Sequence, residues 1–427
     1  MGEYPSHGLT QHGGRKMFEW YRELGAGERR TFWACFGGWG LDAFDVQIYS
    51  FVIPALVAIW NIDKSQAGLL ATSALVISAF GGWVAGMLAD RIGRVRLLQI
   101  TILWFAVFTA LSGFTENFWQ LLVVRGFQGF GFGGEWAAGS VLIGEAIRAK
   151  HRGKAVGSVQ SAWAVGWGVA AIAATLIFQI FPKEEAWRYM FFLGLLPAVT
   201  VFFIRRLVPE PEIFVASRAK AASGEGRGLF EIFGPDLLST TLRGCLLATG
   251  GQGGYYAITT WLPTFLRTER HLTVLGSGGY LAVIITGSFI GYITSAYLAD
   301  GIGRRNNFFV FSIGSLLIAL GYTQFTISDE LMFVLGFPLG FFSAGIFSGM
   351  GPIFTELFPT SVRATGQGFC YKFGRGLAAF FPFLVGWLSS TLSLGQAIGI
   401  FAGFAYALVI IAALMLPETK GRELVAN

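Results

Sequence analysis

Long apolar runs separated by short polar segments make up the chain between residues 32 and 416. A helix needs about 20 apolar residues to cross the hydrocarbon core of a bilayer. The pattern therefore predicts twelve membrane-spanning helices, at 32–59, 66–89, 97–115, 119–143, 155–181, 188–207, 243–266, 276–299, 307–326, 330–354, 365–390 and 394–416. Glycine recurs within these runs, as expected where membrane helices pack closely.

The polar segments divide the chain into five parts. We predict a cytoplasmic N-terminal segment at 1–31, a six-helix bundle at 32–207 and a cytoplasmic linker at 208–242. A second six-helix bundle follows at 243–416, and a cytoplasmic tail occupies 417–427. The segment from Met17 to Arg30 also has the pattern of a short amphipathic surface helix.

Composition narrows the class of protein. Charged residues make up 13% of the chain, against about 25% in soluble globular proteins. Three cysteines, all within apolar runs, are too few for a disulfide framework. A disordered chain, a secreted disulfide scaffold and an ordinary soluble enzyme are therefore excluded.

The distribution of positive charge predicts the orientation. Of the 31 Lys and Arg residues, 23 fall in one set of alternating segments and 5 in the other set. The positive-inside rule then places both termini in the cytoplasm. The formal charge of +6 belongs to short loops, so no nucleic-acid partner is expected. Residues 1–31 lack the apolar core of a signal peptide, and we expect a multi-pass protein of the inner membrane.

The two halves of the chain repeat each other. Leu88–Arg94 and Leu298–Arg304 share a pattern at an offset of 210 residues, each after a predicted helix. Such repeats are typical of secondary transporters. We predict that charged residues of the repeat form gating latches at the cytoplasmic face, although they also fit a simple membrane anchor. They are Asp90, Arg91, Arg94, Glu145, Arg152, Asp300, Arg304, Glu356 and Arg363.

Ionisable side chains inside a membrane cost about 2.5–3.5 kcal/mol each on insertion scales and usually line a cavity. Asp42 and Asp45 are three residues apart on the first predicted helix, so they should share a face with Tyr49. Two adjacent carboxylates resist being ionised together, which suits a reversible proton carrier. The alternative is a carboxylate paired permanently with Arg125.

Four further charges lie within the predicted helices. Arg125 is a candidate counter-ion for the proton carrier, or one partner of a fixed ion pair. Glu135 is a candidate for a second proton site or for a pair between helices. Lys372 and Arg375 share a face in the second half, where no acid accompanies them. Because arginine binds carboxylates well, Arg375 is the predicted anchor of an anionic substrate.

The seventh predicted helix carries polar aromatic residues beside several glycines. Gln252, Tyr255 and Tyr256 lie there and suit the wall of a substrate cavity. Together with Tyr49, Lys372 and Arg375 they complete the predicted substrate-binding set. Lys372 also fits a side chain that only reaches toward the membrane surface or that pairs with an acid.

Several motifs resemble those of the major facilitator superfamily. Gly86–Arg96 is similar to its signature loop, Arg125–Gly131 to its fourth-helix motif and Pro417–Gly421 to the C-terminal tag of its sugar-porter branches. Leu41–Asp45 resembles the aromatic acid/proton symporters, and Gly368–Arg375 resembles the metabolite/proton symporters for sialate, lactate and related carboxylates. The resemblance implies a twelve-helix fold of two pseudo-symmetric bundles with alternating access.

The combined prediction is a transporter that imports a small organic acid anion with protons. A sugar or polyol porter is the alternative, although a neutral sugar would leave Lys372 and Arg375 unpaired. A drug exporter and a non-transporting sensor are further alternatives. The chain has no phosphate-binding loop, zinc motif or nucleophile elbow. We therefore expect no cofactor, no metal and no enzyme activity, and we expect a monomer in the lipid bilayer.

Overall fold

The computed structural model describes residues 19–92, 94–147, 149–196, 198, 231–359 and 362–420. These residues are helical, and no strand occurs among them. The first eighteen residues, most of the predicted linker and the last seven residues of the tail lie outside this description. The predictions made for those segments therefore stay predictions.

The helices of the first half are connected by short turns. They are α1 (Glu19–Glu23), α2 (Ala26–Trp60), α3 (Lys64–Ile92), α4 (Arg94–Ser112), α5 (Phe118–Ala146), α6 (Ala149–Gln160), α7 (Ala162–Ile180) and α8 (Lys183–Leu193).

The second half begins with a 3-10 turn at Glu231–Phe233. Its helices are α9 (Leu238–Thr268), α10 (Val274–Ile302), α11 (Arg304–Gln324), α12 (Asp329–Leu357), α13 (Arg363–Ala378), α14 (Phe380–Leu388) and α15 (Leu394–Met415).

Among the residues that the structure describes, eight helical segments are long and apolar enough to cross a membrane. Six of them lie in α2, α3, α4, α10, α11 and α12, the seventh joins the end of α6 to α7, and the eighth is α15. Of the predicted spans without such a segment, the seventh carries many polar residues and the eleventh is broken. Parts of the fourth and the sixth lie outside the described residues. The number of crossings therefore stays a prediction.

The helices at the start of each half extend beyond the predicted membrane spans. Within the predicted amphipathic segment, α1 ends at Glu23 and α2 begins at Ala26, and the backbone N–H of Gly25 between them donates to Glu28 at 2.7 Å. This capping interaction starts α2 at Ala26, six residues before the predicted span. In the second half α9 starts at Leu238, inside the predicted linker.

The eleventh predicted helix is broken at Ala379. Pro382 follows three residues later. Because proline has no backbone N–H, it cannot donate the helical hydrogen bond to the carbonyl four residues before it. Two carbonyls at the break accept side-chain hydrogen bonds instead. Ala379 accepts from Thr72 of α3 at 2.6 Å, and Pro382 accepts from Trp261 of α9 at 2.9 Å. The break thereby joins the two halves of the chain.

The internal repeat is visible in the packing of the helices. α3 and α4 each pack on α5, and α10 and α11 pack on α12 in the same way. A side-chain carbon at Gly81 would lie 2.2 Å from the Phe130 carbonyl oxygen. One at Gly291 would lie 2.2 Å from the Phe341 oxygen, so both positions need glycine for close approach.

The halves meet along several helix pairs. α2 contacts α9, α3 contacts α13 and α14, and both α6 and α7 contact α10. These pairs surround a cavity whose walls come from α2, α3, α5, α7 and α9.

Candidate functional site

The cavity between the halves is small and mixed in character. Its volume is about 30 Å³ in this conformation. Its lining residues are Asp45, Val46, Gln47, Tyr49, Ser50, Ala71, Ala74, Leu75, Arg125, Gln128, Gly129, Phe132, Trp163, Tyr255, Tyr256, Thr259 and Thr260. A few polar groups converge among aromatic walls, as in many small-molecule sites.

Asp45 is the carboxylate of this cavity. Its Oδ2 accepts hydrogen bonds from Thr109 Oγ1 and Gln128 Nε2, each at 2.6 Å. Its Oδ1 has no hydrogen-bond partner within the described residues. The side chain is 1% exposed, so one carboxylate oxygen is held firmly while the other is available to a proton or a ligand.

Arg125 belongs to the same hydrogen-bond network and contacts Asp45 through Gln128. Its Nη1 donates to Gln128 Oε1 at 2.7 Å, and its guanidinium carbon sits 4.4 Å from the centre of the Tyr49 ring. The amide of Gln128 thus connects the guanidinium to the carboxylate of Asp45 without a direct ion pair. Both charges line the cavity and are buried.

Asp42 and Asp45 do not form the shared carboxylate site that their spacing predicts. Asp45 faces α4 and α5, whereas Asp42 lies within electrostatic range of Lys372 and Arg375 in the second half. The side chains of residues three apart on a helix diverge by about 60°. That divergence is enough for each to meet a different neighbouring helix.

The two cations of the second half, Lys372 and Arg375, lie near polar or charged partners, whereas the sequence predicted that they would be unpaired. Lys372 donates to the backbone carbonyl of Gly133 in the first half, and Asp42 approaches it from α2. Its ammonium therefore points across the interface between the halves. Of the two alternatives for Lys372, the position near Asp42 agrees with a pair with an acid and not with a reach toward the membrane surface.

Arg375 is fully buried and lies one layer behind the cavity wall. Its Nε donates to Gln252 Oε1 at 3.2 Å, and its guanidinium carbon is 4.7 Å from the Phe132 ring centre. It also lies 5.4 Å from the Tyr371 ring. Its Nη1 has no partner among the residues described. Lys372, Arg375 and Gln252 are therefore beside the cavity, not in its lining.

The predicted tyrosines line the cavity. They differ in which of their atoms a ligand could contact. Tyr49 donates its hydroxyl to the Ala67 carbonyl at 2.5 Å, so its ring and not its hydroxyl is available. Tyr255 and Tyr256 stand side by side on α9, with ring centres 6.1 Å apart. Tyr255 also packs against Trp167 of the first half at 6.4 Å.

Two of the predicted latch residues, Arg304 and Glu356, are described and contact each other. Arg304 of α11 forms an ion pair with Glu356 of α12 at 2.9 Å. Thr419 donates to the same carboxylate at 2.5 Å, and Glu418 accepts from the backbone N–H groups of Arg304 and Arg305. This network joins helices of one half to the tail.

The side chains of the remaining predicted latch residues, and that of Glu135, lie outside the described part of the structure. These latch residues are Asp90, Arg91, Arg94, Glu145, Arg152, Asp300 and Arg363.

Different residues bridge the two halves on the face that carries the N-terminal segment. Trp20 donates its indole N–H to the Tyr297 hydroxyl at 3.1 Å. Lys154 of α6 also lies 5.9 Å from the Tyr297 ring. Within the first half, His151 Nε2 lies 2.9 Å from a carboxylate oxygen of Glu23. The predicted motif loops gave no hint of this bridge. The signal that could have revealed it is the aromatic and charged pattern of the N-terminal segment.

Sequence reasoning also missed the groups that hold Asp45. Thr109 is one of several hydroxyl residues in its apolar run, and Gln128 lies one turn after Arg125. The only available signal was that polar groups in membrane helices tend to bond across helices, which does not name their partner.

Helices that pack in the same way in both halves, around a cavity with buried charges, are typical of secondary transporters. The Major Facilitator Superfamily profile matches residues 35–328 and 285–426. The chain belongs to this superfamily, which confirms the predicted fold class and the prediction that it is not an enzyme.

Named relatives agree with that assignment. The chain is 41% identical to the probable 4-methylmuconolactone transporter of Cupriavidus pinatubonensis, over 95% of this chain and 94% of the relative. It is 28% identical to the cis,cis-muconate transport protein of Acinetobacter baylyi, over 89% and 92%. The solved proton:xylose symporter XylE has the same fold, with a TM-score of 0.74, 19% identity and coverage of 93% and 98%.

Proposed function

We propose that this protein imports a small organic acid anion together with a proton, by alternating access of the central cavity. The cavity network of Asp45, Gln128 and Arg125 carries the proposal, because it places one proton-accepting oxygen and one cation at the same ligand site. The names of the relatives add the chemical class, since muconate and muconolactones are carboxylic acids.

Charge balance couples the two cargoes. With Asp45 ionised, its charge compensates that of Arg125 through Gln128. When Asp45 takes a proton, Arg125 keeps an uncompensated charge at membrane depth, which is costly. A carboxylate that binds Arg125 restores neutrality, so the loaded site carries both cargoes across at the lowest cost.

This proposal moves the carboxylate anchor from Arg375 to Arg125. Arg125 lines the cavity, whereas Arg375 stands behind Phe132 and shares its surroundings with Asp42. Arg375, Lys372 and Gln252 then support the wall of the site. Glu135 stays a candidate second proton site, and the gating role of the latch residues is also part of the proposal.

The setting of the transport is proposed on the same basis. We place the protein in the inner membrane as a monomer, with both termini in the cytoplasm, because of its asymmetric basic loops. The two bundles at 32–207 and 243–416, joined by the linker at 208–242, are the proposed rocking bodies, and 1–31 and 417–427 flank them.

Reconstituted liposomes test the proposal. Labelled muconate, 4-methylmuconolactone, hydroxybenzoate, lactate, sialate and glucose are offered with and without an inward proton gradient. We expect acid uptake that increases with the gradient. Asp45→Asn should abolish the response to the gradient while exchange of acid across the membrane continues. Glucose uptake that ignores the gradient would instead favour a sugar or polyol porter.

A further inference from the structure

Three hydrogen-bond donors in the cavity wall have no acceptor within the described residues. They are Gln47 Nε2 of α2, Trp163 Nε1 of α7 and Tyr255 Oη of α9. These side chains are 2%, 5% and 2% exposed, respectively. Buried donors are nearly always paired in folded proteins, so three that line one cavity call for a partner inside it.

The donors come from both halves of the chain. Trp163 belongs to the first half, and its indole is a neighbour of the Tyr255 hydroxyl in the second half. The Tyr292 hydroxyl is a second neighbour of Tyr255, but neither contact gives the Tyr255 hydroxyl the geometry of a hydrogen bond. The amide oxygen of Gln47 accepts a hydrogen bond from Ser50 at 3.4 Å. Its N–H₂ group can therefore donate to another partner. An acceptor placed among them would contact both bundles at once.

All three donors are uncharged, which restricts the acceptor. A second carboxylate beside them would bring another negative charge to membrane depth. A carbonyl or ring oxygen adds no charge and satisfies N–H and O–H donors directly. The rings of Phe132 and Trp163, 6.3 Å apart, provide flat apolar walls that suit an unsaturated ring.

We propose that Gln47, Trp163 and Tyr255 form a second subsite that recognises an uncharged oxygen of the substrate. The inference rests on the proposed function and specifies its substrate class. The preferred cargo is a flat cyclic monocarboxylate with a lactone or ketone oxygen. The carboxylate binds at Arg125, and the neutral oxygen binds at the three donors.

Uptake of three acids into liposomes separates the contribution of the carboxylate from that of the uncharged oxygen. 4-Methylmuconolactone has one carboxylate and one lactone, cyclopent-2-ene-1-acetate has a similar ring and carboxylate without the lactone oxygens, and cis,cis-muconate has two carboxylates. We expect a KM for the lactone roughly tenfold below that for either other acid, in keeping with one or two satisfied neutral hydrogen bonds.

Two substitutions each remove a single donor function. Tyr255→Phe and Gln47→Leu should raise the KM for the lactone about three- to tenfold, while the KM for the carbocyclic acid changes less than about twofold. Gln47→Asn keeps an amide and should retain part of the preference. Tyr322→Phe is the matched control, because it removes an unpartnered buried hydroxyl that does not line the cavity.

The outcomes distinguish the subsite from the transport function. Acid uptake with equal KM changes for both ring probes would show that these residues only pack, and the subsite would be rejected while the transport function stands. Preference for muconate in the unsubstituted protein would also overturn it. If no acid in the panel is transported, the proposed function fails and the subsite fails with it.

Discussion

Two buried arginines, one in each half, are held by the same kind of contacts. Arg125 lies over Tyr49 and donates to Gln128, and Arg375 lies over Phe132 and donates to Gln252. The two networks differ in the group to which the glutamine donates its hydrogen bond. Gln128 donates to the Asp45 carboxylate at 2.6 Å, whereas Gln252 donates to the Tyr371 backbone carbonyl at 3.0 Å.

In our proposal, the group that accepts the hydrogen bond from the glutamine decides what each network does. A carboxylate accepts and releases a proton, and its charge changes with it. A backbone carbonyl cannot do so, and its hydrogen bond to Gln252 holds Arg375 in one arrangement. We propose that the proton switches the network of the first half, and that the network around Arg375, which also has Asp42 nearby, is its structural counterpart.

Substitution of the two glutamines gives the largest expected contrast. Gln128→Leu disconnects Arg125 from Asp45, so the ratio of uptake with and without a proton gradient should fall about tenfold or more. Gln252→Leu leaves Arg375 Nε without its acceptor and should cost about 1–3 kcal/mol of stability with little change in that ratio. Uptake assays and thermal unfolding in lipid nanodiscs measure the two effects. Equal loss of the ratio in both variants would remove the distinction between the halves.

Trp20→Phe tests whether the halves separate on the face of the N-terminal segment. The substitution keeps the aromatic packing and removes the hydrogen bond to Tyr297, worth about 0.5–1.5 kcal/mol. We expect the population that is open on that face to rise about two- to tenfold. Distances between spin labels on α6 and α10 report this population. Trp33→Phe is the control, since Trp33 bonds locally to Tyr21 at 2.7 Å. No change in Trp20→Phe relative to this control would contradict a bridging role.

Glu418 offers a smaller test with a carboxylate of the second half. Burial by itself raises the pKa of Glu418, but the backbone N–H groups of Arg304, Arg305, Thr419 and Lys420 outweigh it and lower the pKa below 4.5. Because the folded-state pKa is lowered, the stabilisation is complete above the ordinary value and is lost as pH falls through the lowered pKa.

Glu418→Gln should therefore cost about 0.3–1 kcal/mol at neutral pH, the usual strength of an anion at a helix N-terminus. The difference from the unsubstituted protein should shrink in acid, as measured by thermal unfolding across pH. Gradient-driven uptake at neutral pH should be unchanged. A changed gradient response would show that charges of the second half also take part in coupling.

The sequence predicted the membrane class, the repeat and most of the buried charges. Apolar run length and a constant offset are properties of the chain itself, which is why they were readable without a structure. The groups around Asp45 were not readable, because Thr109 and Gln128 reach it from other helices, 64 and 83 residues away.

The pairing of charges shows the same limit in more detail. Spacing placed Asp42 beside Asp45 and left Lys372 and Arg375 unpaired. Rotation of α2 in the folded bundle turns Asp42 toward those cations and Asp45 toward α4 and α5. A rotation of a few tens of degrees changes the neighbours of a side chain, and it is set by packing against several helices at once.

By itself, the sequence determined that this chain is a repeated, multi-helix membrane protein with ionisable groups at membrane depth. Those features follow from hydrophobicity and from the cost of burying charge, which act along the chain. Only the tertiary structure decided that Arg125 lines the cavity, that Arg375 stands behind it and that Gln47, Trp163 and Tyr255 meet there. Those arrangements depend on contacts between helices far apart in the chain, and no local pattern encodes them.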